Sequence, residues 1–370
     1  QIYGNVPYSE AGLGYYQQIY KPKYDNQETI YKDMIQQVKD GVNLLNANNP
    51  AIDGDLFYDG DINKWKKFGG SLLLRIGMRL SEVAPDLAKQ TVADAVTIGV
   101  MSQPEDICLL RHDGSGKNAF KNPLSFRYLD DNFIESDAVK IGKTFMDYLK
   151  KTKDPRIHVY CSLKDGNTEF DKQFGLPNGY DSHTIADAPS GSFVGLENTS
   201  NFNINTILRL DAPTIFLMPS ETKLLLAEAV LRNWTNGNAE VLYKEAITSS
   251  MKEQEIAYGT QGKITDEEIE TYLAQNLLST ANNTEKLQII GEQYWVATFI
   301  NGYESYANWR RTGYPKLIPT NYSGSMSPGV IPTRLPYPTD EYSINRANVD
   351  TANQQQGADK VTTHIWWDID

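Results

Sequence analysis

Few side chains in these 370 residues stand at spacings that perform chemistry. The four histidines, His112, His158, His183 and His364, are scattered, with no i,i+4 pair and no cysteine at metal-binding spacing, which argues against a metal site. No Gly-x-Ser-x-Gly elbow occurs. Gly114-Ser115-Gly116-Lys117 is too short for a phosphate loop and lacks its closing Ser or Thr, so it reads as a turn. A glycosidase needs only two carboxylates about 5–10 Å apart in space. The 47 Asp and Glu residues could supply such a pair anywhere, but solvated surface acids account for them as well. The acidic run Asp53 to Asp61 suggests a calcium loop, then fails that template: Phe57 stands at the fifth position and Lys64 at the twelfth, where a bidentate Glu belongs. Two turns feeding an Asp61 helix cap explain it better.

What remains is a wealth of rings, 22 Tyr, 12 Phe and 6 Trp. Aromatic faces stack on sugars, and they also pack cores and interfaces. Those on helical stripes are expected in the core. The platform candidates are therefore the rings outside helical periodicity: Phe126, Tyr128, Phe170, Phe174, Tyr180, Phe193 and Phe202.

The elements that would position these rings are mostly helices. Trp65, Phe68, Leu72, Ile76, Leu80 and Val83 recur at steps of three and four, predicting a helix over about 62–83 capped by Asp61. Ile30, Met34, Ile35, Val38, Val42 and Leu45 predict another over about 27–45, opened by an Asp25-x-x-Glu28 capping box. Pro85 and Gly99 frame a third. A fourth is expected from Ser136 to Lys151, ending before Asp154-Pro155. From Ser220 a helical hairpin turns at Asn236-Gly237-Asn238 and runs to Met251, resembling one tetratricopeptide unit. Thr265-x-x-Glu268 caps a shorter helix, and Leu287 to Ile300 and Tyr303 to Arg311 follow. Thus the helical scaffold spans about 25–99, 136–152 and 220–315. Residues 100–133 and 155–213 lack helical periodicity. The second is too long for an ordinary connection and is expected to be structured and ligand-facing. Residues 318–370 are expected to wrap over the helices as an extended tail.

Bulk properties narrow the partners. The net charge of -12 argues against nucleic acid, which requires clustered cations. Mean hydropathy is -0.48, and no stretch reaches the roughly twenty apolar residues of a membrane span. Cys108 and Cys161 could form a disulfide in an oxidising compartment or be two buried thiols. The chain opens without a basic, then apolar, leader pattern. The Asn-x-Ser/Thr sites at Asn198, Asn233, Asn282 and Asn321 carry meaning only on a eukaryotic secretory route.

Several blocks, taken in order, resemble the SusD/RagB family of Bacteroidetes surface glycan-binding lipoproteins. Asp61-Ile62-Asn63-Lys64-Trp65-Lys66-Lys67-Phe68 with Ser71-Leu72-x-Leu74-Arg75 and Arg79-Leu80-Ser81 is similar to the family's hallmark helix. Tyr3-Gly4-Asn5-Val6-Pro7-Tyr8, Asp154-Pro155-Arg156 and Trp309-Arg310-Arg311-Thr312-Gly313-Tyr314-Pro315 resemble three further family segments. Arg334-Leu335-Pro336-Tyr337-Pro338 with Glu341 and Asn345, and the closing Trp366-Trp367-Asp368, resemble its tail. The chain particularly resembles the SusD-like branch described as starch-binding and outer-membrane associated.

This resemblance implies one mainly α SusD-like domain over residues 1–370, a superhelix of tetratricopeptide-like helix pairs backing a large, irregular, loop-rich, ligand-facing half. It implies a non-catalytic protein without cofactor or metal. Such a protein captures glycan at the outer-membrane surface and passes it to a SusC-like TonB-dependent transporter. A glycoside hydrolase and a helical-repeat protein adaptor are the alternatives. In the family a lipidated cysteine forms the membrane anchor, and roughly a hundred residues of helical sequence precede the Tyr3 block, so the chain resembles an N-terminally truncated member. The arginines of the blocks are expected to be scaffold. Gly69 and Gly70 inside the hallmark helix cost roughly 1.5–2 kcal/mol against alanine, which predicts a close helix crossing there.

Overall fold

The computed structural model describes residues 1–46, 53–130, 140–278 and 282–369. After a one-turn helix α1 (Gly14–Gln17), α2 (Gln27–Leu44), α3 (Ile62–Arg79) and α4 (Pro85–Ile98) pack as neighbours. Strand β1 (Cys108–Leu110), α5 (Pro123–Asp130), α6 (Lys143–Thr152), α7 (Ile157–Tyr160), β2 (Cys161–Ser162), β3 (Asn201–Phe202) and β4 (Thr214–Leu217) occupy the irregular middle. The second helical block holds α8 (Pro219–Leu231), α9 (Ala239–Tyr258), α10 (Asp266–Gln275), α11 (Asn283–Ala297) and α12 (Gly302–Thr312), and α13 (Thr339–Ile344) and α14 (Arg346–Gln356) lie in the tail. The strands form two short antiparallel pairs, β1 with β4 and β2 with β3.

Local chemistry explains the helix starts. The Asp61 carboxylate accepts from the backbone N–H groups of Asn63 and Lys64 at 2.9 and 3.1 Å, and Asn238 does the same for Glu240 and Val241. The Thr265–Glu268 capping box forms as expected. The expected Asp25 box does not: Asn26 caps α2 through Thr29, while Asp25 accepts from Tyr8 and Ser9. An aspartate one position too early thus fastens the N-terminal loop and leaves the helix to its neighbour. The helix expected from Ser136 begins at Lys143 instead, because Ile141 and Lys143 bond the 176 backbone in extended conformation; residues 136–139 lie outside the described residues.

The paired glycines of α3 mark the expected crossing. A Cβ at Gly70 would stand 2.0 Å from the Gly99 carbonyl oxygen at the end of α4, and one at Gly69 would stand 2.3 Å from Val42 Cγ2 of α2. One turn-pair further on, Gly77 faces Thr91 in the same way, at 2.9 Å. The deepest face of α3 is accordingly Gly70, Leu73, Leu74, Gly77 and Met78. The stripe expected to be core is displaced: Trp65, Phe68 and Leu72 are half-buried against a smaller cluster of Tyr58, Met101, Cys108 and Leu217, and the helix ends at Arg79.

Four helices are tied by buried charge. Arg75 of α3 reaches Glu221 of α8 (Nη2 to Oε2, 2.6 Å), and Arg79 pairs with Glu304 of α12. The Tyr294 hydroxyl of α11 lies 2.9 Å from both carboxylates. Burial pushes the Glu221 carboxyl up against the pull of Arg75; burial also acts on Glu304, but Arg79 and Arg75 hold it below the ordinary glutamate range. Arg311 grips Glu228 of α8 with two bonds of 2.6 and 2.7 Å and also reaches Ser81 and Asn308. Glu82, three residues after Arg79 on the chain, pairs with Arg232. Arg156 is clamped by Asp154 (2.9 Å), Ser250 and Gln293. Arg79, Arg156 and Arg311 are buried and Arg75 and Arg232 partly so, and each is spent on a carboxylate partner, which is the geometry of scaffold.

The tail contains two helices where only extended chain was expected. It also closes on the beginning of the chain. Leu335 N–H donates to the Ile2 carbonyl (3.1 Å), the Tyr337 hydroxyl to the Asn5 carbonyl (2.6 Å), and Arg310 to the Gln1 carbonyl (2.7 Å). Trp367 is fully buried beneath the guanidinium groups of Arg79 and Arg310. Cys108 and Cys161 are separate buried thiols, not a disulfide; burial pushes the Cys108 thiol up to about 11, so neither is primed for reaction.

Candidate functional site

A cleft of about 480 Å³ opens between α6, α11 and the chain after Gly313. Its aromatic wall is Phe145 of α6 and Trp295 of α11, edge to face with centroids 4.9 Å apart. Behind them Phe145 stacks on Phe299 at 4.4 Å, and Phe299 meets Tyr160 and Phe202. This continuous ring packing fixes the Trp295 face, which is half-buried and so has one side toward the opening.

The polar side of the cleft carries Thr144, Asn178, Thr320, Ser325 and Ser327. Backbone pairing sets Asn178: Leu176 N–H donates to the Ile141 carbonyl (2.7 Å), and Lys143 N–H to the Leu176 carbonyl (2.8 Å). Two glycines let these segments lie this close. A Cβ at Gly175 would stand 2.4 Å from Lys143 Cα, and one at Gly142 would stand 3.2 Å from the Asn178 side-chain oxygen. The amide of Asn178 makes no hydrogen bond among the described residues and faces the cleft.

A strap from Leu317 to Pro332 forms the remaining wall, with Ile318, Val330 and Ile331 on its lining. It is held at three points. The Tyr322 hydroxyl donates to Asp181 Oδ2 at 2.6 Å, the Tyr306 hydroxyl to the Pro332 carbonyl at 2.7 Å, and Thr320 packs on Gly179. Hydrogen bonds from Tyr322 and from the His183 and Thr184 amides hold the Asp181 carboxyl far below its usual range, so the latch is anionic at neutral pH.

The seven rings singled out from sequence fall in different places. Phe202 and Tyr128 pack together at 6.2 Å, behind the cleft's aromatic wall. Phe170 packs on the main core, and Phe126 lies beneath Lys121. Phe174 is exposed with Lys150 4.1 Å over its ring. Phe193 and Tyr180 are half-buried, Tyr180 two residues from Asn178. Phe145 and Trp295 escaped selection because rings in helical segments were assigned to the core. The signal available was adjacency: Tyr294 faces the core, so Trp295, rotated by about 100° on the helix, must look elsewhere.

A larger groove of about 770 Å³ runs between α2 and α3. Its walls set Ile30, Met34 and Val38 against Leu72 and Ile76, with Tyr3, Tyr31 and Tyr303 also in the lining. Arg75 and Arg79 belong to the ion network, although Arg79 Nη1 makes no hydrogen bond among the described residues, while Gln27 accepts from Trp366 N–H and Gln37 donates to Tyr8 and Asp33. The Asp53–Asp61 segment is a turn, as expected: Asp55 accepts from Phe57, Gly60 and the Trp65 indole. Among the described residues no three His, Cys, Asp or Glu side chains are grouped to hold a metal, and no helix is long and apolar enough to cross a membrane.

Comparison with known proteins places these features in context. A family model described as starch-binding, associating with the outer membrane, matches residues 1–338. A solved structure described as a chitin-binding protein is 32% identical with a TM-score of 0.84, covering 100% of this chain and 77% of that one. A SusD-like protein of Bacteroidetes is 26% identical (TM-score 0.82; 100% and 80% covered), as is a SusD homologue of Bacteroides uniformis (0.81; 100% and 78%). No curated protein sequence matches.

Proposed function

The chain belongs to the SusD-like family of starch-binding proteins that associate with the outer membrane, and on that premise we propose that it captures polysaccharide at the cell surface, without hydrolysis, in the Phe145–Trp295 cleft. The observation that carries this is the composition of the cleft, a fixed aromatic face opposite free amide and hydroxyl groups. A sugar ring presents apolar C–H faces and a hydroxyl edge, which is the complementary surface. No carboxylate lines the cleft, so the acid pair of a glycosidase has no counterpart there. The nearest latch acid, Asp181, is occupied by Tyr322. Starch and chitin, the polymers named for the family and for one relative, are both uncharged, and so is every side chain lining the cleft.

Captured glycan passes, on this proposal, to a SusC-like TonB-dependent transporter, the protein being held at the outer membrane as a surface lipoprotein. The test is calorimetry with oligosaccharides on the wild type and on Trp295→Ala. Loss of at least about tenfold in affinity, with an unchanged circular dichroism spectrum, is expected. Undiminished binding by the folded variant would remove the cleft from consideration.

A further inference from the structure

We infer that the strap is a hinged clasp: it swings away to admit a glycan from the side and closes on it, with the Tyr322–Asp181 hydrogen bond as its catch. This rests on the proposal that the cleft is the glycan site. The two ends of the strap are fixed. Tyr314 sits so close to α11 that a Cβ at Gly291 would stand 2.7 Å from Tyr314 Cβ, and the Tyr314 N–H donates to Thr312 Oγ1 at 3.2 Å. At the far end the Thr333 and Arg334 N–H groups donate to the Val361 carbonyl (2.7 and 3.3 Å), and Arg310 Nη1 to the Thr333 carbonyl (2.8 Å). Between these anchors the chain is tied sparsely. Among the described residues no backbone group from Leu317 to Ile331 bonds outside the strap; Ser325 N–H to the Tyr322 carbonyl and Val330 N–H to the Ser327 carbonyl are turns within it. A segment held in this way opens at low free energy while its ends stay in place.

The catch is built to release. Tyr322 and Asp181 meet at the surface, 2.6 Å apart, where water takes the place of either partner on opening. Asp181 keeps the His183 and Thr184 amides at 2.9 Å, so its carboxylate is not left bare. The Thr320 contact with Gly179 adds packing without a hydrogen bond. A reason to close is also present. Ile318 and Val330 line the cleft yet are 91% and 50% exposed, and a sugar seated under the strap covers them. Glycan thus binds the closed position better than the open one, which is the differential affinity that shifts such an equilibrium.

Two measurements test the clasp. Rapid-mixing kinetics use whichever of maltoheptaose and N-acetylchitohexaose the wild type binds. Tyr322→Phe keeps the ring and removes only the catch; it should raise the association and dissociation rates together, each about threefold to tenfold, and leave Kd within about twofold. A fixed wall that had lost a contact would speed dissociation alone and weaken Kd. The second measurement reads the position of the strap. Cys108 and Cys161 are buried, so spin labels attach at introduced cysteines, Met326→Cys on the strap and Lys151→Cys on α6, both exposed positions. The free protein should show two interlabel distances, glycan should leave the shorter, and Tyr322→Phe should enrich the longer. A single distance indifferent to glycan and to Tyr322→Phe, or a kinetic effect of Tyr322→Phe that is absent or confined to dissociation, overturns the clasp, and leaves the cleft reading standing if Trp295→Ala still abolishes binding. Binding indifferent to Trp295→Ala, or no binding of either glycan, overturns the cleft reading and the clasp with it.

Discussion

Three glycines within two adjacent helices allow one substitution to be read at three levels of crowding. Gly→Ala inside a helix gains about 0.5–1 kcal/mol from propensity when nothing opposes the new methyl. Gly41 of α2 meets nothing within 4 Å, so Gly41→Ala should be stabilising by about that amount. At Gly69 the methyl would lie 2.3 Å from Val42 Cγ2, but 3.8 Å from Val42 Cβ. A rotation of one valine relieves this at a cost of about 0.5–1.5 kcal/mol, so Gly69→Ala should be nearly neutral. At Gly70 the obstacle is backbone: the Gly99 carbonyl oxygen at 2.0 Å, its carbon at 3.0 Å and the Ala95 oxygen at 3.2 Å. No side-chain rotation helps, and α3 and α4 must separate. Overpacking of this kind costs about 1–3 kcal/mol or more, which exceeds the propensity gain. The propensity gain is common to both, so the expected gap between Gly41→Ala and Gly70→Ala is the overpacking cost, about 1–3 kcal/mol. Urea titration with matched m-values measures it. Gly70→Ala as stable as the wild type would refute the close crossing and the reason given for the glycine pair.

Two further outcomes follow from buried charge. Arg311→Lys loses the fork that grips both oxygens of Glu228, and Glu228→Ala strands Arg311 in the core; the second should cost about 3–5 kcal/mol and the first less, by the same titration. Burial lifts the Glu253 carboxyl to about 7 despite its bonds to Ser220, whereas the unfolded glutamate ionises near 4.5. Folding therefore takes up a proton between these values, and stability should fall as pH rises through the window by up to about 3 kcal/mol, then level off above it. Glu253→Gln should flatten that slope in melts taken across the range, and an unchanged slope would show that Glu253 is ionised throughout.

How much of this was legible in the sequence depended on whether one short segment carried the information. Asp61, Thr265 and the turn before Ala239 act on residues two or three positions away, and those helix starts could be read directly. The crossing at Gly69 and Gly70 was legible because glycine in mid-helix is costly and demands a compensating contact. Asp25 misled because it resembles a cap, yet its partners at Tyr8 and Ser9 come from another part of the chain. The α3 stripe misled because periodicity locates a helix without saying which neighbour covers each face; Leu73 and Leu74 took the deepest positions. The cleft was not legible at all. Phe145, Asn178, Trp295 and Ile331 meet through pairings such as Leu176 with Ile141 and Tyr322 with Asp181, which no local pattern encodes. Of the cleft's lining, Asn178 comes from the irregular half, whereas Phe145 and Trp295 sit on helices.

The closure between residues 1–5 and the tail has a consequence for the order of folding. Asn5 bonds Gln356 and Tyr337, partners 351 and 332 positions later. Loop-closure entropy grows with the length closed, by about 0.6 kcal/mol per doubling, so this contact is entropically costlier than any between neighbouring helices. Until it forms, the Ile2 and Asn5 carbonyls lack the tail donors, and Trp367 has yet to arrive under Arg79 and Arg310. The helix pairs can assemble on their own short-range contacts, whereas this closure belongs among the late steps of folding.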